Sequence, residues 1–143
     1  MSGRTAVVIG ATSGIGLAIA RGLAEAGADV VATGRRQQLV DAAASSIEGL
    51  GRRTLRVASD VTSTESIQAL RDACVKTFGR VDILVNAAGI TTRAPSLEMP
   101  ESRWTEIMET NFTGTLRRRG EPWPEPSPED KERLDRAFRS GEY

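Results

Sequence analysis

Three glycines near the start of the chain have a spacing that could hold a phosphate group. Gly10, Gly14 and Gly16 follow the apolar run Ala6–Ile9 and stand where a helical pattern begins, which predicts a strand, a tight turn and a helix N-terminus. Glycine has no Cβ, so a ligand can approach the backbone closely. The unpaired first amides of the helix and its dipole then form an anion site, with a pyrophosphate as the expected occupant. The alternative is a plain turn between strand and helix.

Two arginines after the second apolar run favour NADP over NAD. Val30–Ala32 predicts a strand buried on both faces, and Arg35 and Arg36 follow shortly after it. In a dinucleotide fold this strand ends beside the adenosine ribose, where an acid binds the 2′-hydroxyl of NAD and an arginine accommodates the 2′-phosphate of NADP. The guanidinium is a planar donor fork that suits phosphate. The alternative is that both arginines are solvated loop charges.

Few residues are available for acid–base chemistry. The chain has no histidine, which excludes histidine triads, histidine zinc sites and histidine general bases. Cys74 is the single cysteine, so an internal disulfide or a cysteine-cluster metal site is excluded, and we expect a small buried hydrophobe there. No metal site is predicted. The only tyrosine, Tyr143, is the last residue.

Composition argues against several classes of partner. The 143 residues are 39% hydrophobic, which is typical of a single globular domain. Lys plus Arg and Asp plus Glu each number 19, so no net charge attracts nucleic acid or an anionic membrane. No apolar run approaches the roughly 18 residues of a membrane span. No signal-peptide core follows Met1, so we expect a cytoplasmic protein.

Strands alternate with helices along the chain, which implies a parallel sheet with right-handed crossovers. After the first two strands, Leu55–Ala58 predicts a third and Val81–Val85 a fourth. We therefore expect an α/β fold, a Rossmann-like doubly wound sheet truncated after about four strands. Thr62 or Ser63 is expected to cap the third helix. The glycines expected to end the three helices are Gly27, Gly49 to Gly51, and Gly79.

Polar residues follow the third and fourth predicted strands. Asp60 and Val61 come after the third, and Asn86 begins the segment Asn86–Gly89 after the fourth. In an open parallel sheet, ligands bind at the carboxyl ends of the strands, so we expect these residues beside Gly10. The alternatives are a helix-side turn at Asp60 and an Asx turn at Asn86.

Taken together, four features resemble the first half of a short-chain dehydrogenase/reductase, over residues from about 4 to 116. They are the Gly10-x-x-x-Gly14-x-Gly16 spacing, the pair Asp60-Val61, the segment Asn86–Gly89, and Asn111. Their order and spacing match that family. The chain departs from the family pattern at Ile9, where threonine is frequent, and at Ala87, where a second asparagine is frequent.

The resemblance implies a role for each matching residue. The pyrophosphate would be held by Gly10, Ser13, Gly14, Ile15 and Gly16. Arg35 would bind the adenosine 2′-phosphate, and Asp60 with Val61 would contact the adenine. The nicotinamide ribose would lie against Asn86, Ala87, Ala88 and Gly89. Asn111 matches the asparagine of the family's catalytic tetrad, which orders a water in the proton relay.

The segment between Gly89 and Asn111 is predicted to be a loop followed by a helix. Ile90–Met99 is predicted to be an irregular loop. The sequence around its start is similar to that of the sugar-acid and 3-oxoacyl reductase branches of the family. Pro100 is expected to open a helix at its first position. Within that helix we expect an inward apolar face, made of Trp104, Ile107 and Met108.

The family pattern stops after Leu116. A catalytic Tyr-x-x-x-Lys does not occur, since nothing follows Tyr143 and Lys131 precedes it. We divide the chain into residues 1–116, a cofactor-binding half-domain, and residues 117–143, an Arg/Pro-rich linker with a short amphipathic helix. The change in composition favours a foreign tail, from a frameshift, a fusion or a truncated reading frame, over an interaction tail.

The resemblance implies an oxidoreductase that transfers hydride between NADP(H) and a carbonyl or secondary alcohol of a small molecule. The missing tyrosine and lysine argue against turnover by this chain, so a non-catalytic dinucleotide-binding remnant and an interaction module are the alternatives. In the family strand order 3-2-1-4, the strand Val81–Val85 is an uncovered edge. We expect the tail helix to cover it or the protein to self-associate there.

Overall fold

The sheet is built from three short apolar runs. In the computed structural model, which describes residues 1–117, β1 is Thr5–Ile9, β2 is Asp29–Thr33 and β3 is Ile83–Asn86. The strand order is β2-β1-β3, and both pairings are parallel. The carboxyl ends of all three strands therefore meet at one edge of the sheet, with Ile9 opposite Thr33 on one side and Asn86 on the other.

Helices connect the strands and lie on both faces of the sheet. Ala6 and Val8 of β1 point into one buried cluster and Val7 and Ile9 into another, because side chains alternate along a strand. The first cluster includes residues of α1 and α2, and the second includes residues of α3. The doubly wound parallel fold is thus confirmed. The helices are α1 (Gly14–Glu25), α2 (Gln37–Gly49), α3 (Thr64–Phe78), α4 (Glu101–Met108) and α5 (Gly114–Arg117), with a 3₁₀ turn at Ser96–Glu98 and a π-helical turn at Glu109–Thr113.

The first three helices end at the glycines that the sequence predicted, and the third begins at a predicted capping residue. Backbone φ is positive at Gly27, Gly51 and Gly79, which follow α1, α2 and α3. Ser63 is the N-cap of α3, and its Oγ accepts a hydrogen bond from Ser66 N at 3.1 Å. Cys74 in α3 is buried, and this burial raises the pKa of its thiol to about 11. The cysteine therefore packs as a small apolar residue.

The predicted third strand, Leu55–Ala58, is wrong. This segment runs beside β2, and hydrogen bonds join the two at the ends, from Val30 N to Arg53 O and from Ser59 N to Gly34 O, both 3.0 Å. Between them the Thr33 hydroxyl donates to Val57 O at 2.5 Å. A side-chain bond thus lies where a ladder bond could form, the segment is not a strand, and the described sheet has three strands.

The inward face predicted for α4 is also wrong. Trp104 is 56% exposed, Met108 is 37% exposed, and none of the α4 residues is buried. The reason is that α4 continues directly into the π-helical turn and, within residues 1–117, has no extensive contact with the sheet or with α1–α3. Pro100 stands at the N-cap of this helix, one residue before the predicted position.

The edge formed by β3 is only half covered within residues 1–117. Ile83 and Val85 pack against the core beside α1 and α2, whereas Leu84 on the opposite face is 43% exposed. The tail predicted to cover this edge lies, apart from its first residue, outside the described part of the chain. No helix found among residues 1–117 is long and apolar enough to cross a membrane.

Candidate cofactor-binding site

The turn after β1 depends on two close backbone contacts. At Gly10, φ is +82° and a Cβ would lie 2.3 Å from Ala88 N. At Gly16, a Cβ would lie 2.2 Å from Gly10 O. Neither distance is compatible with a side chain, so glycine is required at both positions. The contacts fold the start of α1 back over the turn and bring the loop after β3 against it.

The N-terminus of α1 is left open. Ser13 is the N-cap, with extended backbone, and its side chain makes no capping hydrogen bond. The first turn contains no acidic residue, and the first helical bond runs from Leu17 N to Ser13 O at 3.3 Å. The preceding amides have no acceptor within the helix. Together with the positive end of the helix dipole they can bind an anion.

The loop after β2 is tied directly to the glycine turn. Gly10 N and Ala11 N both donate to Thr33 O, at 2.9 and 3.0 Å. Gly34 is buried, and a Cβ on it would lie 2.9 Å from Thr12 Cγ2. Arg35 follows Gly34 and is exposed. A guanidinium is thereby placed near the open end of α1.

Asp60 is held by its own loop. Its Oδ1 accepts hydrogen bonds from Thr62 N at 2.9 Å and Thr62 Oγ1 at 2.7 Å, as in an Asx turn. The backbone bond from Thr62, and to a smaller degree its hydroxyl and the Arg35 charge, hold the pKa of this carboxyl below its usual value. Asp60 is therefore an ionised hydrogen-bond acceptor at neutral pH.

The segment after β3 supplies the third side of the site. Ala87 N donates to Ile9 O at 2.8 Å, which continues the pairing of β3 with β1 beyond the strand. Ala87, Ala88 and Gly89 line the same cavity as the glycine turn. Asn86, the last residue of β3, is exposed and does not line it.

Asn111 lies in the π-helical turn and fastens the loop after β3. Its Oδ1 accepts from Ile90 N at 2.8 Å, and its Nδ2 donates to Ile90 O at 2.9 Å. Both ends of the side-chain amide are therefore used by one backbone residue. Asn111 itself does not line the cavity, although the neighbouring Thr110 does.

These loops enclose one cavity of about 890 Å³ at the carboxyl edge of the sheet. Eleven of the thirteen residues predicted from the sequence line it, the exceptions being Asn86 and Asn111. Residues that the predicted set did not include are Ile9, Thr12, Gly34, Arg36, Ser59, Thr62, Ile90 and Thr110. Each of them lies within two residues of a predicted one in the sequence. For Arg36 the pair of arginines after the second strand was a further signal, and for the others this adjacency is the signal that could have found them. No cluster of residues able to hold a metal ion occurs within the described range 1–117.

A parallel α/β sheet with an open N-terminus at the first helix and an arginine after the second strand is the arrangement typical of dinucleotide-binding folds. The family model for short chain dehydrogenases matches residues 4–121, most of the sequence. The chain belongs to the short chain dehydrogenase family.

Characterised relatives are similar over the same region. Gluconate 5-dehydrogenase of Gluconobacter oxydans is 40% identical over 116 residues, which are 81% of this chain and 45% of that protein. The 3-oxoacyl-acyl-carrier-protein reductase FabG of Vibrio cholerae is 44% identical over 117 residues, 82% of this chain and 47% of that protein. The chain spans about half the length of the curated relatives it matches.

Solved structures agree with this relationship. L-sorbose reductase from Gluconobacter frateurii, in complex with NADPH and L-sorbose, superposes with a TM-score of 0.77 at 38% identity, covering 82% of this chain and 45% of that one. Hydroxysteroid dehydrogenase from Escherichia coli gives a TM-score of 0.78 at 32% identity, covering 83% and 50%.

Proposed function

We propose that this chain binds NADP(H) as the cofactor-binding part of an oxidoreductase that acts on a small carbonyl compound or secondary alcohol. The observation that carries the proposal is the open N-terminus of α1 and the exposed Arg35, which line one cavity. Pyrophosphate and 2′-phosphate are both anions, and the two features are separate anion-binding groups.

The residues of the cavity fit a dinucleotide. Its volume of about 890 Å³ lies within the range of roughly 300–1,000 Å³ typical of ligand sites. Backbone amides, the two arginines Arg35 and Arg36 and the ionised carboxylate of Asp60 line it, together with apolar surface such as Ile15, which is 79% exposed. This mixture suits a ligand with phosphates, an adenine amino group and flat apolar rings.

Each part of the cofactor has a proposed partner. Gly10, Ser13, Gly14, Ile15 and Gly16 would bind the pyrophosphate, and Arg35 would bind the 2′-phosphate. Asp60 and Val61 would contact the adenine. The nicotinamide ribose would be supported by Asn86, Ala87, Ala88 and Gly89. Asn111 would act near the nicotinamide as the family's catalytic asparagine, and its bonds to Ile90 already fix the adjoining loop.

When bound, the nicotinamide supplies or accepts a hydride, and this chain's residues bind and orient it. Tyr-x-x-x-Lys does not occur among these 143 residues, so the role proposed for them is to bind and orient the cofactor. A non-catalytic dinucleotide-binding unit is therefore the second candidate function. We also propose a cytoplasmic location and self-association through the exposed strand edge of residues 81–85.

Isothermal titration of the whole chain with NADPH and NADH tests the proposal. We expect saturable binding of NADPH and weaker binding of NADH. Arg35→Ala should weaken NADPH about 10- to 100-fold, since a hydrogen-bonded pair with phosphate is lost, while NADH affinity stays unchanged. The matched control is Arg21→Ala, which removes an exposed arginine of α1 that does not line the cavity.

The proposal fails if the folded chain binds neither nucleotide. If Arg35→Ala and Arg21→Ala weaken NADPH equally, Arg35 does not recognise the 2′-phosphate and the predicted cofactor preference is wrong.

A further inference from the structure

The Asp60 carboxylate is satisfied on one side only. Thr62 N and Thr62 Oγ1 both donate to its Oδ1, at 2.9 and 2.7 Å. Within residues 1–117, its second oxygen, Oδ2, accepts no hydrogen bond. Asp60 and Thr62 both line the cavity. One oxygen is therefore fixed by the protein and the other is left for a ligand.

The backbone that carries this carboxylate is also fixed. Asp60 N donates to Ser66 Oγ at 3.0 Å, and Ser63 N donates to Asp60 O at 3.2 Å. Ser66 N in turn donates to Ser63 Oγ at 3.1 Å. These bonds anchor the loop to the first turn of α3. The backbone of Asp60 therefore cannot shift without breaking several of them, and the orientation of the carboxylate itself depends on its bonds from Thr62.

An ionised carboxylate can only accept hydrogen bonds. The bonds from Thr62 and the nearby Arg35 charge favour this ionised form. A ligand group facing Oδ2 must therefore be a donor. The 6-amino group of adenine is such a donor, whereas an oxygen at the same position of a purine would repel the carboxylate.

We propose that Thr62 is a positioning residue for base selection: its hydroxyl holds Asp60 so that Oδ2 accepts the adenine amino group and rejects a 6-oxopurine. This inference rests on the proposed function, because it concerns the adenosine end of the same cavity. A carboxylate released from Thr62 could turn toward the N1–H donor of a 6-oxopurine. Loss of the hydroxyl should therefore relax the choice of base more than it weakens binding of NADPH.

The test compares NADPH with its deamino analogue, the reduced nicotinamide hypoxanthine dinucleotide phosphate. Both are titrated calorimetrically into the whole chain and its variants. We expect the natural chain to favour NADPH about ten-fold, the value of one charge-assisted hydrogen bond. Thr62→Ser keeps the hydroxyl and should keep this ratio. Thr62→Val has the same shape without the hydroxyl and should lower the ratio to about two- to three-fold.

A second variant, Asp60→Asn, tests the same contact by changing the carboxylate itself. Asp60→Asn still accepts from Thr62 through its carbonyl oxygen but presents an NH₂ group toward the base. It should reverse the preference in favour of the deamino analogue, whose oxygen is an acceptor. Thermal unfolding of each variant verifies that it is folded.

The outcomes separate the two levels of the argument. If the natural chain binds neither nucleotide, the proposed function itself fails. If it binds both and Thr62→Val discriminates as strongly as Thr62→Ser, the proposed role of Thr62 is overturned. It is also overturned if Thr62→Val weakens both nucleotides by the same factor, since this would be a purely structural effect.

Discussion

Two helices of this protein begin after a serine, and they begin differently. Ser63 caps α3, because its Oγ accepts from Ser66 N. Ser13 occupies the same position before α1, but its hydroxyl caps nothing. The first turn of α3 contains Glu65, whereas that of α1 has no acidic residue. One N-terminus is capped by its own serine side chain, and the other has no side-chain cap.

The difference teaches that local sequence does not decide whether a helix end is structural or functional. A serine N-cap is favourable at either site, because its oxygen can accept from the third amide of the helix. At α1 the chain enters through Gly14, whose φ is +56°, and Gly16 packs on Gly10 O. The path of the backbone through Gly14 and Gly16 therefore directs the first amides of α1 toward the cavity.

The largest expected effect comes from filling the contact that shapes the open end. Gly16→Ala places a Cβ 2.2 Å from Gly10 O, a backbone atom that cannot move aside cheaply. We expect the free energy of unfolding to fall by about 3 kcal/mol, with loss of NADPH binding. Gly22→Ala is the matched control, because that α1 glycine has open space around it. It should raise stability by about 0.5–1 kcal/mol. Urea unfolding followed by circular dichroism measures both, and equal effects would contradict the close contact.

A smaller effect should distinguish the two serines. Ser63→Ala removes a capping bond and should lower the free energy of unfolding by about 1 kcal/mol. Ser13→Ala removes no capping bond, so we expect a change below about 0.5 kcal/mol. The same denaturant series measures both variants. A cost at Ser13 as large as at Ser63 would show that the α1 terminus is closed by its own serine in solution.

The smallest effect concerns acid stability. The bonds from Thr62 lower the pKa of Asp60 in the folded chain, so its contribution is present above the ordinary value of 3.8 and disappears as pH falls through the lower folded value. Asp60→Asn should make the free energy of unfolding depend less steeply on pH between about pH 4 and pH 2, by less than about 1 kcal/mol because the partly buried carboxylate is still screened by solvent. Asp82, whose pKa is lowered chiefly by the bond from Thr5 N, should keep part of the slope. An unchanged slope in Asp60→Asn would contradict the assignment.

The sequence predicted the secondary structure best where a single interaction decides the local backbone conformation. Apolar runs predicted β1 and β2, because a strand covered on both faces must be apolar throughout. The apolar run of β3 also forms a strand, although Leu84 is exposed on one face. Glycines marked the helix ends, because a positive φ is required there. The prediction failed at Leu55–Ala58, where alternating residues pack against the core but the Thr33 hydroxyl replaces a strand bond. The prediction also failed at α4. Trp104 has the helical spacing of a buried face, but it is exposed in the folded structure.

By itself, the sequence determined the family, the parallel α/β order and most of the cavity lining, since Gly10, Asp60 and Ala88 all follow a strand or a strand-like run toward the same edge. Only the tertiary structure decided how these loops are joined. It bonded Asn111 to Ile90, tied Gly10 and Ala11 to Thr33 O, and packed Gly10 against Ala88. The physical reason is that residue spacing along the chain predicts secondary structure, whereas hydrogen-bond partners depend on which loops the folded sheet brings within about 3 Å of one another.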